Sequence, residues 1–152
     1  MEIKFLESGN PEICNTILRS LPKWFGIEEA IVEYVNKSKE MAMLVAYESD
    51  EAIGFLSIKE HSEFSCEIYV MGILSSYHRK GIGQMLVAEA EKVMAQKKFE
   101  FLQVKTVDSS SEDEYYKKTR LFYEVLGFKK LEVFPTLWDE HNPCLLLVKS
   151  LI

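Results

Sequence analysis

Tyr77–Gln84, YHRKGIGQ, sets two glycines two apart, directly behind a histidine and two cations, between two apolar runs. Glycine at that density weakens helix and strand alike, so the chain turns sharply here. The run before it, Cys66–Leu74, reads as a strand. The run after it, Gly81–Lys97, reads as a helix because Ile82, Met85, Leu86, Ala90, Val93 and Met94 fall on one stripe. Glu100–Val107 is strand-like again. Strand, glycine turn, helix and strand make a βαβ unit, which commits the chain to a mixed α/β architecture. Such a turn at a helix N-terminus aims consecutive N–H groups at one spot, an anion site suited to phosphate. Gly81 and Gly83 would remove the Cβ atoms that obstruct a pyrophosphate, and Arg79 and Lys80 would add charge. The plain alternative is a tight turn with solvated basic residues.

The flanking segments extend this unit. Ile3–Glu7 reads as a strand, and Asn10-Pro11 caps and opens a helix to about Ser20. Pro22 stops it, and an aromatic connector, Trp24-Phe25-Gly26, leads to a second helix over Ile27–Lys37. Met41–Glu48 and Ala52–Glu60 flank Ser49-Asp50-Glu51 as a hairpin. Asp108–Glu114 is a polar loop whose acids suit the start of a helix ending at Leu126-Gly127. Phe128–Phe134 and Cys144–Lys149 are the last strands, joined by a PTLWDEHNP loop. The order is β-α-α-β-β-β-α-β-α-β-β, with no repeat or linker, so one domain over residues 1–152 is expected.

Nucleotide motifs and several partner classes are excluded. GxxxxGK[ST] is absent, and a GxGxxG fingerprint fails at Leu86. The net charge of −6 argues against a nucleic-acid partner. That charge is lopsided: Met1–Ser76 holds 6 Lys/Arg against 13 Asp/Glu, a net of −7, while Tyr77–Ile152 carries a net of +1. Cys14, Cys66 and Cys144 lack CxxC spacing, and His61, His78 and His141 are scattered, so neither disulfides nor a metal are expected. No signal-like leader and no run long enough to span a membrane is seen, which points to a soluble, cytoplasmic protein.

Two stretches carry a family resemblance. His78-Arg79-Lys80-Gly81-Ile82-Gly83 resembles motif A of the GNAT N-acetyltransferases, written (Gln/Arg)-x-x-Gly-x-(Gly/Ala), with His78 departing at the first position. Leu121-Phe122-Tyr123-Glu124-Val125-Leu126-Gly127-Phe128 resembles the same family's FYexlGF signature. The element order also matches that fold: a mixed, mostly antiparallel sheet of seven strands flanked by four helices.

The resemblance implies transfer of an acetyl group from acetyl-CoA to a primary amine by direct attack in a ternary complex. It implies that amides from Arg79 to Gln84 hold the pyrophosphate and that Ile73, Leu74 and Ser75 border the pantetheine arm. Gly72 would mark a bulge or a close backbone approach. A free alkylamine has a pKa of about 10.4, so a base is needed. By position Glu67 is the candidate, or else a strand-end carboxylate in solvent. Simple alternation puts Glu67, Tyr69, Met71 and Ile73 on one face unless a bulge intervenes. Tyr123 matches the signature tyrosine that faces the coenzyme sulfur, or else is a core aromatic. A backbone N–H near Ile73 or Leu74 would meet the oxyanion. Cys66 is set aside as a nucleophile because His61 is near only in sequence. The acceptor walls of this fold correspond to Trp24, Phe25 and Glu28 and to the segment holding Trp138. Aromatic rings beside acids suit a small cationic amine; ordinary packing is the alternative. A protein acetyltransferase or a non-catalytic coenzyme-binding sensor are the competing readings. The family's members are often homodimers.

Overall fold

The computed structural model describes residues 1–152. Its elements are β1 (Glu2–Leu6), α1 (Pro11–Arg19), α2 (Glu28–Ser38), β2 (Ala42–Glu48), β3 (Glu51–Glu60), β4 (Ser65–Ile73), α3 (Ile82–Gln96), β5 (Phe101–Val107), α4 (Glu114–Val125), β6 (Lys129–Asp139) and β7 (Asn142–Ser150). The start signals act as read. Asn10 accepts from the amides of Glu12 and Ile13 with Pro11 in the first turn, and Asp113 accepts from Tyr115 and Tyr116. No helix is long and apolar enough to cross a membrane.

All seven strands join one sheet in the order β1-β2-β3-β4-β5-β7-β6, and only β4 and β5 run parallel. That single parallel pair is the βαβ unit, with α3 as its crossover. Each face of the sheet is covered by two helices. On the α3–α4 face, 19 buried residues cluster around Leu56, Leu86, Leu102 and Tyr123. On the α1–α2 face only 9 do, around Ile17, Leu18, Met43 and Phe55. Gly72 allows α1 to lie close on it, because a Cβ there would come within 3.1–3.4 Å of Ile17, Leu18 and Leu21.

The expected loop between the last two strands is mostly strand. β6 continues through Pro135 to Asp139, and β7 begins at Asn142. Pro135 is tolerated because β6 is an edge strand, and Pro143 lies beyond the last β5 pair, Val107 with Cys144.

Burial fixes the titration of several side chains. The thiols of Cys14 and Cys66 are pushed up from 9.0 to about 12, and that of Cys144 to about 11. The Tyr34 phenol is pushed from 10.0 to about 12, by burial first and by nearby Tyr69, Tyr116, Glu33 and Glu67 after it. In each case the folded chain holds its proton longer than the unfolded one. Stability from these groups is whole below about pH 9 and is lost as pH rises toward 12. Urea midpoints measured from pH 7 to 12 are expected to hold to about pH 9 and then fall. Tyr34→Phe should flatten the decline above pH 10.

Candidate active site

The turn after β4 leaves a run of backbone amides without protein acceptors. Leu74 leads into a short 3-10 turn, Ser75–Tyr77, and then Arg79 (φ 63°) and Gly81 (φ 78°) both take the left-handed conformation. Gly81 caps α3 without any side-chain acceptor. No amide from Arg79 to Gln84 donates to a backbone or side-chain acceptor; the first helical bond runs from Met85 to the Gly81 carbonyl. Six successive N–H groups are thus free at the positive end of a 15-residue helix. The two glycines serve different needs. A Cβ on Gly81 would meet nothing within 4 Å, so glycine is there for its φ. A Cβ on Gly83 would sit 3.2 Å from Ile73 and Phe122, so that glycine seats the helix on the sheet. The His78 ring is engaged by β4: its Nε2 lies 2.6 Å from the Ile73 carbonyl oxygen.

β4 and β5 part company below this turn. They pair only from Ser65 with Phe101 to Ile68 with Val104. Beyond that, β4 pairs with β3 alone and β5 with β7 alone, leaving a wedge whose mouth adjoins the turn. At about 3.3 Å per residue, the wedge from Ile73 to Ile68 is about 17 Å deep. Tyr69 has no register partner on either side, because Ser57 faces Val70 and Ile58 faces Ile68. This bulge breaks the expected alternation. Tyr69 and Val70 both turn to the α1–α2 core, while Met71 and Ile73 turn to the α3–α4 core. The expected donor at Leu74 is taken, since its N–H bonds the Ile53 carbonyl.

Glu67 sits at the apex of the wedge. It is 4 % exposed, and its Oε1 is shared by His61 Nε2 at 2.6 Å and Lys105 Nζ at 2.9 Å. Oε2 has no protein partner and is not sealed from solvent. It is therefore neither a solvated strand end nor an unpaired buried charge; Lys105 offsets its desolvation. His61, set aside in the sequence as near only in the chain, is hydrogen-bonded to this carboxylate and not to Cys66. The Cys66 sulfur faces the Phe101 carbonyl at 3.7 Å. Tyr123 lies on the α3–α4 side, with Phe122 and Phe128 rings at 5.1 and 5.5 Å, edge to face. Its hydroxyl has no protein partner and is not sealed, and burial raises the phenol well above its ordinary range.

The four acceptor-side residues do not form one wall. Trp24 lies 5.6 Å from the His78 ring and 5.0 Å from Tyr115, and its carbonyl accepts from the Tyr116 hydroxyl at 3.4 Å. Phe25 starts a second aromatic row through Tyr34 (6.1 Å) to Tyr69 (5.3 Å), which leads to the bulge. Glu28 is committed to Arg19 in a two-point ion pair of 2.7 and 2.9 Å. Trp138 is 45 % exposed on β6, three strands from β4. No site role is expected from the sequence for His61, Lys105, Tyr34, Tyr69 or Tyr116, which the structure brings to the surroundings of Glu67, the bulge and Trp24. Only the alternation of Gln103 and Lys105 against Leu102 and Val104 could have hinted at any of them.

A family model described as the acetyltransferase (GNAT) family matches residues 10–128. A stretch of 49 residues is 41% identical to a mycothiol acetyltransferase of Corynebacterium efficiens, spanning 32% of this chain and 17% of that protein. The aminoglycoside 6'-N-acetyltransferase of Enterococcus faecium superposes with a TM-score of 0.77 at 23% identity, over 100% of this chain and 98% of that one. The ribosomal-protein-S18-alanine N-acetyltransferase of Escherichia coli does so with 0.75 at 14% identity, over 99% and 93%. At these identities the structures share the fold.

Proposed function

This chain belongs to the acetyltransferase (GNAT) family, and from that premise we propose that it is one N-acetyltransferase domain. Its reaction moves the acetyl group of acetyl-CoA to a primary amine of a small molecule, by direct attack in a ternary complex. The observation that carries this is the set of six free amides from Arg79 to Gln84 at the mouth of the β4–β5 wedge. The amides suit the pyrophosphate, with Arg79 and Lys80 adding charge. The unpaired edge of β4 down from Ile73 suits an extended amide-bearing arm, which lays the thioester near Tyr69.

The chain's own groups then have defined tasks. Glu67 Oε2 takes a proton from the incoming ammonium, leaving a lone pair to attack the thioester carbonyl carbon. Glu28 and Glu33 lie in exposed ion pairs with Arg19 and Lys37, whereas Glu67 lies in the wedge with Oε2 free of protein partners and available to the amine. Backbone N–H groups at the Tyr69–Val70 bulge face the developing oxyanion. As the C–S bond breaks, the Tyr123 hydroxyl donates its proton to the departing sulfur and regains one from the nitrogen of the collapsing intermediate, which becomes the neutral amide. Trp24, Phe25, Tyr34, Tyr69 and Tyr116 offer ring faces to an amine of modest size.

The test is calorimetric titration with acetyl-CoA, followed by thiol release with tyramine, spermidine, glucosamine, kanamycin and an alanine-initiated peptide. Binding and turnover with at least one small amine are expected. Absence of binding sinks the reading. Binding without turnover leaves a coenzyme sensor, and turnover on the peptide alone leaves a protein acetyltransferase.

A further inference from the structure

We propose that His61 is the proton outlet of Glu67, a positioning and relay residue that returns each proton taken from the amine to solvent. The inference rests on the reading of Glu67 as the base. Every turnover loads one proton on Glu67, whose side chain is only 5% exposed, and the bound amine covers Oε2. The proton needs another way out. His61 provides contact at 2.6 Å and, from the exposed β3–β4 turn, a side chain that is 29% exposed.

The other groups facing the carboxylate cannot take the proton. Lys105 of β5 already donates to Oε1 at 2.9 Å and has no acceptor to offer. Tyr34 of α2 and Cys144 of β7 are kept protonated by burial. Tyr69 of β4 has its phenol raised likewise. The register neighbours Lys59 of β3 and Gln103 of β5 are a cation and an amide. An imidazole is the side chain that binds and releases a proton in this pH range.

The steps balance. Glu67 Oε2 gains the proton as the amine N–H bond breaks, and a half-turn about Cγ–Cδ presents it to the Nε2 lone pair of a His61 ring whose proton sits on Nδ1. The O–H bond breaks and the N–H bond forms, restoring the carboxylate. The imidazolium then loses its Nδ1 proton to water, so that one hydronium leaves per acetyl group moved, and tautomer exchange through solvent returns the remaining ring proton from Nε2 to Nδ1 before the next turnover.

The test uses His61→Gln, whose amide still donates to the carboxylate but cannot take up and release a proton, and His61→Ala as the second variant. Both are assayed with acetyl-CoA and the panel amine that gives the fastest thiol release, across pH and imidazole concentration. We expect kcat of His61→Gln to fall about 10–100-fold in dilute buffer, with the acetyl-CoA KM within about twofold of wild type. Imidazole should restore kcat in His61→Ala and leave wild type unmoved. A loss that no imidazole concentration relieves, or no loss in either variant, overturns the outlet. Glu67→Gln separates the two layers: if it is inactive and the His61 variants are normal, the outlet alone fails. If Glu67→Gln keeps full kcat, the base reading fails and takes the outlet with it.

Discussion

Replacing Glu67 by glutamine is expected to lower kcat by about 10²–10³-fold while leaving the acetyl-CoA dissociation constant unchanged. The size follows from the chemistry. At pH 7 an alkylamine with pKa about 10.4 is almost wholly ammonium, and without a positioned base only its small neutral fraction attacks. The selectivity follows from geometry. Glu67 lies at the wedge apex, while the free amides from Arg79 to Gln84 lie at its mouth, so the coenzyme's anionic end does not meet the substitution. The amide can still accept from His61 and Lys105, and Lys105 is 24% exposed, so its charge can be rehydrated. Only a modest fall in melting temperature is expected for that reason. The deficit should shrink as pH rises, because more amine is then neutral without help. A kcat deficit that is the same from pH 7 to 10 would remove Glu67 from the proton path.

What the sequence disclosed and what it hid divide along one physical line. Features set by neighbours a few residues apart were legible: the Asn10 and Asp113 caps, the glycine turn between Tyr77 and Gln84, and the stop at Gly127. Each depends on φ, a cap or a helical period, all local quantities. The wedge was hidden because it is a property of where β5 stops pairing with β4, which no residue of either strand announces. The bulge at Tyr69 depends on the register of β3, so alternation misassigned Met71 and Ile73. The Glu67–Lys105 pair joins residues 38 apart and needs the one parallel strand pair. Even His61, six residues from Glu67, required the turn at 61–64 to fold its ring back. The Glu28–Arg19 pair was hidden too, because it joins the end of α1 to the start of α2 across the aromatic connector.

Tyr123→Phe is expected to reduce kcat by about 10–100-fold and to leave stability equal or slightly higher. The two halves have separate causes. An alkylthiol has a pKa of about 8.5, so a thiolate is a tolerable leaving group and an acid's contribution sits at the low end of the usual range. Against this, the hydroxyl has no protein partner, so its removal breaks no hydrogen bond in the fold, and the ring keeps its edge contacts with Phe122 and Phe128. Burial holds the phenol protonated well past its ordinary range, so the acid form persists throughout the working pH. The wild-type rate should therefore show no basic limb from this residue below about pH 10, and the Phe variant should differ by a constant factor across neutral pH. A melting temperature several degrees lower with unchanged kcat would make Tyr123 a packing residue. A lower kcat at undiminished stability would place its hydroxyl against the departing sulfur, because nothing else in the substitution has been altered.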